Sequence, residues 1–161
     1  KNFLQNPCED VCNTTVNRSL LSSFASLLST IMITFDTNLL VRLAVNDDEQ
    51  QAEIAEQLLE THQVFIPRTV LLETEWVLRS VYKKSRIEIS AFLNNALNTE
   101  NLFLENPVEI KCAIEWYNLG ADFADAVHLC ICEENKLYTF DSDFCKAAKQ
   151  LGITPAFEVL S

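Results

Sequence analysis

The sequence predicts a three-layer α/β/α sandwich with a short-stranded, mainly parallel central sheet, and three observations carry that prediction. Strand-like runs of about four residues alternate with helix-period segments, which implies parallel strands, right-handed crossovers and helices on both faces. A chain of 161 residues, 48% hydrophobic and 22% charged, has the composition of one globular domain with its own core. No internal repeat or low-complexity tract interrupts the alternation.

Taken in order, Met32 to Phe35 is a β-rich run ended by Asp36-Thr37-Asn38, where Asp36 or Asn38 can cap a helix starting at Leu39. Asp47-Asp48-Glu49 opens an amphipathic helix carrying Ala52, Ile54, Ala55, Leu58 and Leu59, its acids suited to the positive end of the helix dipole. Val64 to Ile66 reads as a second strand, stopped by Pro67. Thr69 begins a helix with Val70, Leu71, Trp76, Val77, Val81 and Tyr82, and Ser85 can cap the next through Asn98, the two forming a helical hairpin. Leu102 to Leu104 is a third strand, and Pro107 opens a helix ending at Leu119-Gly120, with glycine where it is favoured past a helix end. Asp122 caps a helix from Phe123 to Glu134, and Leu137 to Phe140 is a fourth strand. Ser142 to Leu151 is a helix closed by Gly152, and Thr154 to Val159 offers a fifth strand.

Composition narrows the chemistry. Lys and Arg number 12 against 23 Asp and Glu, a net charge of −11 that disfavours non-specific coating of nucleic acid or an anionic membrane. The only glycines are Gly120 and Gly152, too few and too far apart for a phosphate-cradling loop or a dinucleotide fingerprint. His62 and His128 are the only histidines and share no metal spacing with cysteine. The six cysteines, at 8, 12, 112, 130, 132 and 145, form no C-x-x-C pair. Cys112, Cys130 and Cys145 fall in apolar helical stretches and read as buried, reduced thiols of a cytoplasmic protein. Carboxylates are left to do the chemistry.

Residues 1–31 stand apart, with two acids and two bases, so the whole charge of −11 belongs to residues 32–161. Met32 is the only methionine and immediately precedes the first strand. We expect 1–31 to be an extension, or upstream or fusion sequence, and 32–161 to be one folded domain. Leu20 to Phe35 is interrupted by five Ser/Thr between 22 and 30, whereas a bilayer span needs about 20 apolar residues. Neither a membrane span nor a secretion signal is expected there. The two glycosylation sequons at Asn13 and Asn17 are read as chance matches in an Asn/Ser/Thr-rich stretch.

In an open α/β sheet, functional groups collect beyond the carboxyl ends of the strands. Asp36 directly follows the first strand, Asp141 directly follows Leu-Tyr-Thr-Phe, and Asp122 and Asp125 open the helix before that strand. Glu73 lies one turn into the helix after the second strand, inside an apolar run, whereas Glu75 can pair with Arg79 on a solvated face. Asp143 reads equally as a further site acid or as a first-turn helix acid, and Asp47, Asp48, Glu133 and Glu134 read as surface. Carboxylates gathered without histidine or lysine between them repel unless a divalent cation neutralises them. Oxygen-only ligands favour Mg²⁺, with Mn²⁺ as a substitute, and such a site suits phosphodiester hydrolysis. The competing reading of Asp36, Asp122 and Asp141 is helix capping, which by itself contributes ~1 kcal/mol.

Four motifs in order, FDTNLL at 35–40, LLETEWVLR at 71–79, GADFADAVHLC at 120–130 and TFDSDF at 139–144, resemble those of the PIN-domain ribonucleases, and most nearly the VapC-type toxins. The resemblance spans Met32 to Ser161 and implies a Mg²⁺-dependent endoribonuclease. It also implies a cognate antitoxin whose tail occupies the acidic groove, and a homodimer. It places the family's four acids on Asp36, Glu73, Asp125 and Asp141, with Asp122 and Asp143 as additional acids and Asn38 and Thr139 as polar support. Asp36, Asp125 and Asp141 are the implied metal ligands, and Glu73 the residue that orients water or a second cation.

RNA has to approach an acidic chain, and Arg68, Arg79, Lys83, Lys84 and Arg86 fall within 19 positions, which reads as a basic rim beside Glu73 or, at least equally for Lys83 and Lys84, as charge complementing a helix C-terminus. Trp76, Trp116 and Phe92 read as core or dimer contacts rather than a base-stacking platform. Two alternatives stay open: a nuclease of DNA or structured RNA, and a non-catalytic binding module whose acids serve a partner. A haloacid-dehalogenase-type phosphatase needs a second Asp two residues after Asp36, where Asn38 stands, and a receiver domain needs an acidic pair after strand one. Both are excluded.

Overall fold

The computed structural model describes residues 32–132, 135–150 and 157–160; the side chains of 147 and 148 are outside the description. The extension assigned to 1–31, the acids Glu133 and Glu134, and the closing Gly152 lie outside the described residues.

Three short strands, β1 (Met32–Thr34), β2 (Gln63–Ile66) and β3 (Leu102–Leu104), form a parallel sheet in the order β1-β2-β3. Ile33 registers with Val64, and Val64 with Leu102. Helices α1 (Thr37–Val45) and α2 (Glu49–Thr61) make the first crossover. Helices α3 (Arg68–Ser80) and α4 (Arg86–Asn98) make the second. Then follow α5 (Pro107–Leu119), α6 (Phe123–Ile131), β4 (Leu137–Thr139), α7 (Ser142–Gln150) and β5 (Phe157–Val159).

The expected single sheet is corrected. β4 and β5 pair in parallel as a sheet of their own, Tyr138 opposite Glu158, and among the described residues no ladder joins them to β1. The α/β alternation and the parallel sense hold; apolar periodicity identifies a strand but says nothing of which backbone it bonds to.

Side-chain alternation sends Val64 and Ile66 of β2, with Leu102 and Leu104 of β3, into the core, while Phe103 points outward. Over them pack Leu71 and Leu78 of α3, Ile89 and Leu93 of α4, and Ile110, Ile114 and Tyr117 of α5. Helix α6 is apolar on two sides. Phe123, Ala126 and Val127 join the main core, and Leu129 meets Leu137, Phe144 and Phe157 under the second sheet.

Local chemistry sets the helix ends. Asp36, one of the two expected caps, starts α1 at Thr37, two residues before the expected Leu39, and Asp48 caps α2 within the expected Asp47-Asp48-Glu49 opening. Gly120 ends α5 at φ +116, a conformation that L side chains rarely adopt, with its N–H bonded back to Trp116 and Tyr117. Ser85 and Glu88 form a reciprocal capping box on α4. Hydrogen bonds from the Ser85 backbone and hydroxyl, then Lys84, pull the Glu88 carboxyl down to about 2. Ser85→Ala is expected to cost ~1 kcal/mol, read as a lower urea midpoint with unchanged slope.

Of the three cysteines expected to be buried, Cys145 is, whereas Cys112 and Cys130 are half-buried, as is Cys132; all four are free thiols. Burial, with Cys112 bonded alongside, pushes the Cys130 thiol well up, which makes it a poor nucleophile. Of the aromatics expected to be core or dimer contacts, Trp76 is not in the core, being 55% exposed. Among the described residues no helix is long and apolar enough to cross a membrane.

Candidate active site

The first group of acids is built where β1 ends. Phe35, still bonded to Phe65 of β2, is buried, and the chain turns at Asp36 into α1. Asp36 stays extended so that its Oδ1 accepts the Leu39 N–H at 3.1 Å, while Oδ2 faces the Asn38 amide at 3.4 Å. The next residue, Thr37, is buried and donates its hydroxyl to Glu73 Oε2 at 2.6 Å. One short hydrogen bond thus ties the turn after β1 to the first turns of α3. Asp36, Thr37, Asn38 and Glu73 line an open cleft of about 360 Å³ whose remaining wall is Val41, Arg42, Val70, Val77, Val81 and Tyr82.

Glu73 and Glu75 exchange the environments the sequence reading gave them. Glu73 is exposed on the cleft side, and Glu75 is 3% exposed. The predicted pair with Arg79 exists, Nε to Oε1 at 2.7 Å and Nη2 to Oε2 at 3.3 Å, but it is reached from inside the protein, where Tyr117 also donates to Oε1 at 3.0 Å. Leu71, Thr74, Glu75 and Leu78 form the buried stripe of α3.

The second group lies at α6 and β4. Asp122 caps α6, its Oδ1 accepting the N–H groups of Ala124 and Asp125 at 2.9 and 3.3 Å. Asp141 opens α7, its Oδ1 accepting from Asp143 and Phe144 at 3.0 and 2.9 Å, while its own N–H donates to the Thr139 hydroxyl at 3.0 Å. Thr139 therefore supports Asp141 directly. Asp143 is exposed and paired with Lys146 at 2.9 Å.

Asp125 reports the crowding. Burial first, then the charges of Asp122 and Asp141, hold its carboxyl above the usual carboxylate range, with His128 opposing. The folded state binds this proton more tightly than the unfolded chain does. Asp125 therefore contributes its full stability below the ordinary carboxylate pKa and loses it as pH rises through the raised value. In metal-free protein, Asp125→Asn is expected to raise the urea midpoint near neutral pH, the gain vanishing on acidification. An unchanged neutral-pH midpoint would show that the carboxylates do not strain one another.

Asp36 with Glu73, and Asp125 with Asp122 and Asp141, are two sets. Among the described residues, no three or more Asp, Glu, His or Cys side chains stand close enough to hold a metal ion. The residues nonetheless fit a hard divalent cation in kind, since the acids offer carboxylate oxygens and Asp125 is destabilised by the charges of Asp122 and Asp141.

The expected basic rim is corrected. Arg79 is held by Glu75, Arg68 lies 3.8 Å from Glu105, and Lys84 pairs with Glu88 at 3.1 Å. Arg86 lies 4.1 Å over the Tyr117 ring and donates to the carbonyls of Tyr117 and Ala121, closing the end of α5. Lys83 donates to the Ser80 carbonyl at 2.6 Å. The sequence reading missed Thr37 and Arg42. Spacing carried a signal for the second, since Arg42 lies one turn beyond Asn38 on α1.

The protein-family model described as PIN domain matches residues 33–150 of the chain. No curated protein matches it.

Proposed function

Since the chain belongs to the PIN domain family, we propose that it is a Mg²⁺-dependent endoribonuclease acting as the toxin of a toxin-antitoxin pair. The observation that carries this reading is the cleft past the end of β1, where Asp36 and Glu73, far apart in sequence, line one open space without histidine, lysine or cysteine. A nucleophilic water there has only carboxylates to take its proton.

Asp36, Asp125 and Asp141 would have to converge from their two sets to hold the divalent ion, with Mn²⁺ able to replace Mg²⁺. When bound, it supplies an activated water and neutralises charge on the scissile phosphate. Glu73 orients the attacking water, and the Thr37 hydroxyl at 2.6 Å fixes the direction of that carboxylate. Thr139 sets the turn that presents Asp141. Asp122 adds negative charge beside Asp125.

Exposed Trp76 and Val81, on and just past the helix that carries Glu73, offer an apolar edge for an antitoxin covering the acids. Exposed Val108 and Leu119 on α5 offer a second for a homodimer. The test is cleavage of a panel of RNAs and DNAs by the full chain with Mg²⁺ and with EDTA. Metal-dependent cleavage of RNA is expected; cleavage of DNA alone would replace the substrate class, and no cleavage by folded, Mg²⁺-supplied protein would leave the binding-module reading.

A further inference from the structure

A polyanion entering this acidic chain needs a cation at the point of entry, and the five basic residues after Pro67 are committed to Glu105, Glu75, Glu88 and backbone carbonyls. The cation that lines the same cleft as Asp36 and Glu73 is Arg42.

Its guanidinium is held through two of its three nitrogens and is ion-paired with Asp47. Nε donates to Gln51 Oε1 at 2.7 Å, and Nη1 reaches Asp47 Oδ1 at 2.7 Å and the Tyr82 hydroxyl at 3.2 Å. Tyr82 in turn donates to Asp47 Oδ2 at 2.7 Å, closing the ring of contacts. Nη2 has no hydrogen-bond partner among the described residues. A fork fixed this way has little rotamer freedom left to lose on meeting a phosphate. Between it and the carboxylates the wall is Val41, Val70, Val77 and Val81, an apolar surface for the face of a sugar or base. The volume of about 360 Å³ lies at the small end of the range for ligand sites.

We propose that this cleft is the subsite for the nucleotide next to the scissile phosphodiester, and that Arg42 is the positioning residue that holds that nucleotide's phosphate. The proposal rests on the nuclease reading and deepens it. Gln51, Asp47 and Tyr82 act through Arg42, each fixing the direction of its fork.

The test is binding of a labelled single-stranded oligoribonucleotide to the full chain in EDTA, followed across a salt series, so that cleavage plays no part. Arg42→Gln is expected to weaken binding roughly tenfold at low salt and to flatten the log K against log salt slope by about 0.7, the value for one phosphate contact on a single strand. Arg42→Lys keeps the slope and loses affinity, because the charge remains and the fork does not. Tyr82→Phe weakens binding less and keeps the slope. Lys111→Gln, an exposed change on α5, alters neither.

A purely structural Arg42, tying α1 to α2 and α3, would lower stability and leave the slope alone. Wild-type slope and affinity in a folded Arg42→Gln would therefore overturn the proposal while RNA cleavage still upheld the nuclease. Absence of RNA binding by the wild type overturns it as well, and absence of both binding and cleavage removes the nuclease reading with it. Should Arg42→Gln fail to fold, Arg42→Lys decides: unchanged affinity overturns the proposal, and lost affinity at constant slope supports it.

Discussion

Asp36→Asn is expected to reduce metal-dependent RNA cleavage roughly a thousandfold, the scale of losing a group that acts on the reacting water and its metal, while leaving the fold in place. The capping role of this residue and the ligand role proposed for it are separable. As a cap, Asp36 offers Oδ1 to the Leu39 N–H, and asparagine caps helices about as well as aspartate, so α1 keeps its start. As a ligand, asparagine loses the negative charge that a hard divalent ion selects. The check is paired: initial cleavage rates at saturating Mg²⁺, and urea unfolding of the same preparations. Near-wild-type cleavage by a variant of unchanged midpoint would remove Asp36 from the site and reduce it to a cap.

The largest effect on stability is expected at Glu75, two residues from the proposed site acid. Tyr117 is 1% exposed, edge-on to Phe123 at 5.5 Å, and its hydroxyl donates to Glu75. Glu75→Ala leaves that hydroxyl buried without an acceptor and Arg79 without its carboxylate, a loss of about 3 kcal/mol read in urea unfolding. Glu75→Gln keeps an acceptor for Tyr117 and is expected to lose less than half as much. The pair also has an alkaline signature. Burial, then the Glu75 charge, pushes the Tyr117 phenol up to about 12. The folded state then holds that proton where the unfolded chain has released it, so stability falls as pH rises from about 10 towards 12. In Glu75→Gln this fall is expected to begin at the same pH, set by the unfolded chain, but to end at lower pH and be smaller in total. Equal midpoints for wild type and Glu75→Ala would mean that the buried carboxylate contributes nothing net.

Much of the local design is legible in the chain. Asp36, Asp48, Ser85 and Asp122 sit where a cap is needed because a cap satisfies amides only two or three residues away. Gly120 marks the end of α5 for an equally local reason. The exchange between Glu73 and Glu75 was partly legible too. Leu71, Thr74, Glu75 and Leu78 follow the spacing of one helix face, but nothing near Glu75 announces that Tyr117, 42 residues on, supplies the hydroxyl that makes burial tolerable.

Of the candidate site, the residue types and their positions after strands or at helix starts were readable, since parallel strands present their carboxyl ends to one edge. Their distribution into two sets was not. It depends on β4 pairing with β5 and on Thr37 reaching Glu73, contacts between segments that share no local pattern. The basic rim failed for the same reason. Arg68 and Arg86 look free in sequence and are claimed by Glu105 and by the end of α5.

By itself, then, the sequence determined the α/β class and the helix caps and singled out the candidate acids, because these follow from interactions within a few residues. Only the tertiary structure decided which strands share a ladder, which glutamate is buried, and that Arg42 is the cation lining the cleft. Each of those depends on which distant group stands opposite, and hydrogen bonds and ion pairs carry no trace of that choice in local periodicity.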